Sequence, residues 1–185
     1  MNIINSSVNM KTEPTEISSL ETECLFGETV EIFDENLDWV YCKLKTDNYY
    51  GWVLKKGLGE FKKSTYRVFV NRSFIYLEKS PKSKCLFYLP MGAKLAIKDI
   101  QSEWAEAYVF YKGKLQIGYV PEKHIVKLHH KVKDWVAKAQ QLEGTPYKWG
   151  GRDTVGIDCS ALLQLSYQTY GQNIPRNTSQ QIRLN

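Results

Sequence analysis

No stretch of the 185-residue chain approaches the roughly 20 consecutive apolar residues that a membrane-spanning helix needs, so no membrane partner is expected. Met1 to Glu16 lacks the apolar core of a secretory signal, because Ile3, Ile4 and Val8 are interrupted by Asn and Ser. A cytoplasmic location is the corresponding expectation. Cysteine is sparse, at 24, 42, 85 and 159, with no C-x-x-C pair, and in a reducing compartment these are thiols. With three histidines and no His/Cys/Asp cluster at ligand spacing, neither a metal nor a cofactor is implied. The 25 Lys and Arg exceed the 20 Asp and Glu by a net +5, but they are scattered along the chain. A nucleic-acid partner is therefore not expected, and the mild positive charge suits acidic ligands at most.

What is abundant points to β-structure. Hydrophobic residues make up 43% and aromatics 13%, with 12 Tyr, 7 Phe and 5 Trp against 6 Pro and 12 Gly. Such a chain is neither disordered nor fibrous, and aromatics suit a pleated surface. At about 150 residues per domain, the length fits one or two domains or several small ones.

An internal repeat organises the first two-thirds. Gly27 aligns with Gly92 and Trp39 with Trp104, both at a shift of 65; Gly51-Trp52-Val53 aligns with Gly118-Tyr119-Val120 at a shift of 67. Three anchors in one order indicate a tandem duplication. Each copy reads as short alternating strands. Thr29–Phe33, Trp39–Leu44 and Tyr49–Val53 form the first set, with a turn at Thr46-Asp47-Asn48. Lys94–Ile97, Trp104–Tyr111 and Leu115–Val120 form the second. Units of about 60 residues built this way imply small barrels, with Trp39 and Trp104 expected in their cores. The order of Gly, hydrophobic strand, Trp and Gly-aromatic-Val resembles bacterial SH3 domains, over residues 10–61 and 64–128. Tyr49 has two readings, ordinary strand packing or a side chain pointing out of the barrel.

Residues 131–185 have a different pattern. Val132, Trp135, Val136, Ala139 and Leu142 lie on one helical face, stopped by Gly144 with Pro146 beyond. A second helical run, Ser160 to Tyr170, is opened by Asp158 as cap and closed by Gly171. Cys159 therefore falls at the positive end of a helix dipole, where free N–H groups stabilise a thiolate and can hold an oxyanion. Thr178-x-x-Gln181 reads as a capping box opening a third helix.

Tyr147-x-Trp149-Gly150-Gly151, then Gly156-Ile157-Asp158-Cys159-Ser160, then Ile174-Pro175-Arg176, resembles the NlpC family of papain-like bacterial cell-wall cysteine peptidases. The implied architecture is multidomain: two small all-β SH3-like barrels, then the helical front part of an α+β papain-like cysteine peptidase domain. By that resemblance Cys159 is the nucleophile and Tyr147 the active-site tyrosine that helps hold the oxyanion. Asp158, Ser160 and Arg176 are candidate substrate contacts, with Asp158 equally readable as a helix cap. Tyr49 is the candidate for a tyrosine of the first SH3 domain that closes one end of the cleft. The implied substrate is a murein stem peptide, cut at a γ-D-glutamyl–diamino-acid bond.

A thiol nucleophile needs a base, usually His, and a group to orient it. In the family both lie downstream of the cysteine, yet the 26 residues after Cys159 contain no His. The sequence is accordingly read as the front part of a longer enzyme, with a non-catalytic cell-wall-peptide-binding protein as the alternative. Without a sheet of their own, residues 131–185 are expected to be loosely held. Nothing in the sequence speaks to oligomeric state.

Overall fold

The structure, a computed structural model, describes residues 1–184. The first unit contains β1 (Asn2–Ile3), β2 (Ser7–Lys11), β3 (Leu20–Leu25), β4 (Val30–Asn36), β5 (Trp39–Leu44), β6 (Tyr49–Leu54) and β7 (Leu58–Gly59). The second contains β8 (Tyr66–Val68), β9 (Arg72–Tyr76), β10 (Cys85–Pro90), β11 (Lys94–Leu95), β12 (Ile97–Gln101), β13 (Trp104–Tyr111), β14 (Lys114–Pro121) and β15 (Ile125–Lys127). Their five-stranded sheets run β3-β2-β6-β5-β4 and β10-β9-β14-β13-β12, the same order with corresponding strands. The duplication read from three sequence anchors is thus a duplication of topology. The first unit also takes in β1 and β2, which lie largely before residue 10: β1 pairs with β7, and β2 with β3 and β6.

Alternation dictates the burial. On β5, Val40, Cys42 and Leu44 face inward, meeting Met10 and Val53 in the first core, while Trp39 is buried on the strand's other face. Ile75, Leu89, Leu95, Ala107 and Val109 do the same in the second. One expectation is corrected: Trp39 is buried, but Trp104 is only half-buried, with Tyr76 edge-on to it at 5.6 Å.

The remaining residues form α1 (Trp135–Gln140), a hairpin of β16 (Arg152–Asp153) and β17 (Gly156–Ile157), α2 (Cys159–Tyr170) and α3 (Thr178–Gln181). Asp134 caps α1 by accepting from Val136 N–H and Ala137 N–H. Leu142 is buried and the Trp135 ring lies 4.4 Å from Tyr167, but Val136 is exposed, so the predicted apolar face is narrower than its spacing implies. The capping box is also corrected. Asn177, not Thr178, occupies the N-cap of α3 and makes no side-chain cap bond. The Gln181 amide instead donates to Ser160 O and Pro175 O, tying α3 to α2.

The expected looseness of residues 131–185 is not what the structure shows, because these helices use the two β-units as their packing partner. Leu142, Ile157, Ala161 and Leu165 share a core with Leu25 of the first unit and Met91 of the second. Arg67 of β8 donates to the carbonyls of His130, Gln168 and Thr169. One tight turn joins all three bodies. Cys24 lies in the first core, Leu25 in the shared core and Phe26 in the second, where its ring meets Phe61 and Phe87.

Gly27 completes that turn at φ +75°, and a Cβ there would sit 1.9 Å from Lys94 O. The left-handed φ and this backbone contact both require glycine. Lys94 N–H donates to Phe26 O at 2.8 Å, so Gly27→Ala must push the two units apart. Its expected cost is about 2 kcal/mol or more, measured as a lowered urea midpoint; an unchanged midpoint would refute this reading of the turn.

Candidate active site

Cys159 is exposed at the first position of α2, capped by the extended Asp158. At that position the N–H groups of Cys159 and Ser160 have no acceptor within the helix and point toward negative charge forming on or beside the sulfur. The Cys159 Sγ lies 3.7 Å from Thr178 Oγ1 at the start of α3.

A cleft of about 370 Å3 opens around the thiol. Tyr147 and Trp149 form one wall, both largely exposed, at 66% and 70%. The loop carrying them is held by backbone bonds from Ile157 N–H to Pro146 O and from Lys148 N–H to Ile157 O. Glu21 and Tyr49 of the first unit, with Asn177, close another side. The Tyr49 hydroxyl donates to Glu21 Oε2 at 2.6 Å. Burial, reinforced by that carboxylate, pushes the Tyr49 hydroxyl up to about 12, so it remains a donor at neutral pH. Tyr49 meets both of its readings, packing partly against the first core while also lining the cleft.

Asp158, Ser160 and Arg176 occupy the floor, lining the cleft while also bonding to one another. Arg176 is 2% exposed. It grips Asp158 with two bonds of 2.9 and 2.6 Å, donates to Ser160 Oγ at 2.6 Å and reaches Thr22 Oγ1 of the first unit at 2.7 Å. Asp158 also accepts from Ala161 N–H at 2.8 Å and Gly150 N–H at 3.0 Å. Burial works to raise the Asp158 carboxyl, but the bonds from Arg176 and Ala161 outweigh it and hold the group below the usual carboxylate range. These side chains spend their polar atoms on one another. They fix the start of α2, and so the sulfur, against β3; Asp158 is the cap of its alternative reading.

A second buried network docks the hairpin. Arg152 is fully buried and makes paired bonds of 2.9 and 3.1 Å to Glu28, while its backbone N–H donates to Glu23 Oε2. Lys148 pairs with Glu23 as well.

The three histidines lie elsewhere. His124 bonds through Nδ1 to Ser73 Oγ in the second unit, His130 packs against Phe69, and His129 is exposed in the linker; none lines the cleft. Sequence reasoning missed Glu21, which carries no local motif, and did not single out Thr178 as a neighbour of the thiol. Trp149 stood inside the quoted motif without an assigned role. Among the described residues no group of three or more His, Cys, Asp or Glu could hold a metal ion.

An exposed cysteine at a helix start, in a cleft walled partly by an N-terminal β-unit, defines a thiol-bearing site assembled between domains. Comparison with known proteins narrows the class. Residues 144–185 match the NlpC/P60 family, and residues 11–58 match the bacterial dipeptidyl-peptidase SH3 domain. The resemblance read from the motifs is therefore shown over the first β-unit and over the segment that carries Cys159. The chain is 26% identical over 196 residues to the gamma-D-glutamyl-L-lysine dipeptidyl-peptidase of Bacillus cereus, covering 91% of this chain and 56% of that protein. It is 23% identical to dipeptidyl-peptidase 6 of Lysinibacillus sphaericus, covering 95% of this chain and 71% of that one. With the gamma-D-glutamyl-L-lysine dipeptidyl-peptidase of Bacillus subtilis it shares 24%, covering 89% and 58%. The chain thus spans a little over half the length of two of these relatives. A crystal structure of an NlpC/P60 family protein from Bacillus cereus superposes with a TM-score of 0.84 at 18% identity, over 100% of this chain and 76% of that one, which shows a shared fold.

Proposed function

We propose that this chain carries the nucleophile and the amino-terminal recognition wall of a cysteine peptidase acting on bacterial cell-wall peptides, releasing a dipeptide that ends in γ-D-glutamate. The observation that carries the reading is Cys159, exposed at the start of α2 and facing a cleft closed by Glu21 and Tyr49. The Cys159 sulfur attacks the γ-carbonyl of the glutamyl residue, forming a C–S bond. The first-turn N–H groups of α2 and the Tyr147 hydroxyl stabilise the oxyanion. Collapse breaks the C–N bond, and the leaving amine of the diamino acid takes up the proton that the thiol released on attack. Water then hydrolyses the thioester and frees the dipeptide.

The relatives' names describe release of dipeptides, and an enzyme that counts two residues must sense a free amino terminus. Glu21 supplies the matching charge, and Tyr49 orients that carboxylate. The dipeptide L-alanyl-γ-D-glutamate is therefore expected to slow alkylation of Cys159 by iodoacetamide. Glu21→Gln should need about tenfold more dipeptide for equal protection, since a charge-assisted contact is lost. Equal protection in both proteins, or none in either, would overturn the assignment.

One observation favours a second reading. No histidine lines the cleft among the described residues, so these residues alone make a cell-wall-peptide-binding protein rather than a turnover enzyme. The two readings separate on hydrolysis of L-alanyl-γ-D-glutamyl-L-lysine by the 185-residue chain. No hydrolysis is expected, because no histidine among the described residues lines the cleft to take the thiol's proton. Turnover abolished by Cys159→Ala would show that the base is already present.

A further inference from the structure

The duplication provides an internal control, because the two units carry different residues at one equivalent place. In the ladders Trp39 pairs with Leu54 and Trp104 with Pro121, so the 3-10 turn after β6 corresponds to the turn after β14 and Gly57 corresponds to His124. By the same register Val8 on β2 corresponds to Ser73 on β9, and Lys11 to Tyr76. In the first unit Val8 fills the space: a Cβ at Gly57 would lie 2.6 Å from Val8 Cγ2. Lys11 there folds over to the carbonyls of Glu16 and Ser18, Trp39 is only 7% exposed, and the remaining hollow is about 200 Å3.

In the second unit the Val–Gly pair is replaced by a hydrogen-bonded Ser–His pair, with 2.9 Å between Ser73 Oγ and His124 Nδ1. Ser73 is fully buried and holds the ring, leaving Nε2 as the polar atom His124 can offer. Tyr76 stands where Lys11 closed the first site, at 90° to the half-buried Trp104. The result is an open groove of about 670 Å3 with an aromatic corner, flanked by Glu103, Glu122 and Lys123. It shares no lining residue with the cleft around Cys159.

We propose that this groove is a binding site for a neutral saccharide, one pyranose ring stacking its C–H face on Trp104 against the Tyr76 edge, with its hydroxyls meeting Glu103, Glu122 and His124. Three features select that ligand class. The perpendicular aromatic faces offer one flat apolar surface with a wall beside it, as a pyranose requires. The carboxylates accept hydrogen bonds from hydroxyls, and a neutral imidazole both donates and accepts; burial and the adjacent Lys123 hold His124 below the ordinary histidine range. The facing charges are mixed, which suits an uncharged ligand. An apolar peptide side chain would leave the imidazole and both carboxylates without partners, at a cost for each polar group it desolvated.

The test titrates chitotriose into the full chain, followed by calorimetry and by the Trp104 indole N–H resonance. Saturable binding with a dissociation constant on the order of 1 mM is expected, with shifts confined to the groove. Trp104→Ala should weaken it by about tenfold or more. The paired variant Ser73→Val/His124→Gly installs the combination with which the first unit already folds, and it should also weaken binding about tenfold. Alkylation of Cys159 should be unchanged in these variants. Absence of saturation, equal affinity in the variants, or saturation by a proline-rich peptide but not by chitotriose would overturn the assignment.

Discussion

Iodoacetamide at neutral pH is expected to modify Cys159 first, on the order of a hundredfold faster than Cys24 or Cys42 and about tenfold faster than Cys85. The four thiols occupy different surroundings. Cys24 and Cys42 lie in the first core, where burial pushes both up, Cys42 to about 12. Cys85 is exposed on a strand, and its smaller burial still raises it. Cys159 is exposed at a helix start, whose unpaired N–H groups stabilise negative charge on the attacking sulfur. Peptide mapping after partial alkylation gives the four rates directly. Equal rates in the folded protein would remove the case for an activated thiol, and with it the proposed chemistry. Arg176→Ala should slow Cys159 toward the rate of Cys85 without uncovering Cys24, because Arg176 holds Asp158 and Thr22 in place.

The largest expected stability effect belongs to Arg152. Arg152→Met leaves the Glu28 carboxylate buried without its partner, at an expected cost of about 3–5 kcal/mol. For a chain of this length that corresponds to a fall of roughly 10 °C in melting temperature. The pH dependence should change sign. In the parent protein burial would raise the Glu28 carboxyl, but Arg152 and Lys94 overcome it and hold the carboxyl below its ordinary value. Its contribution to stability is therefore present above the unfolded pKa of about 4.3 and is lost as pH falls through the lower folded value. Without Arg152, burial is opposed only by Lys94 and the Leu25 N–H, so the carboxyl should rise and the variant should lose least stability in acid and most at neutral pH. Adding Glu28→Gln should recover much of the loss, because no buried charge then remains at that position. A midpoint shift below about 1 kcal/mol at neutral pH, a variation usual for surface positions, would refute the role of the pair.

Much of this architecture was legible in the sequence because its signals are local. Gly27, Trp39 and Gly51 recur as Gly92, Trp104 and Gly118, since each copy needs a turn, an aromatic strand start and a close strand approach at the same places. Asp158 and Gly171 bound α2 because capping depends on a few neighbouring residues. The run of motifs from Tyr147 to Arg176 located the thiol and its exposed tyrosine. Readings failed where partners distant in sequence decide. Trp104 reads like Trp39, yet it is half-buried because Ser73, Tyr76 and His124 replace Val8, Lys11 and Gly57 around it. Asp158, Ser160 and Arg176 are named by their motif, but nothing local to it shows that Thr22 of the first unit joins them in a bonded cluster on the cleft floor.

The sequence by itself determined a duplicated β-unit, a helix start bearing Cys159 and the family whose motifs surround it. These depend on strand periodicity, turn chemistry and caps spanning a few residues. Only the tertiary structure decided how the three bodies are joined. Cys24, Leu25 and Phe26 are consecutive in the chain, yet each enters a different core, because a tight turn at the meeting point of three bodies directs neighbouring side chains apart. Glu21 and Tyr49 stand at the cleft for the same reason: the buried Arg152–Glu28 and Arg176–Asp158 pairs draw the first unit against α2, and that contact brings the wall of the site to its nucleophile.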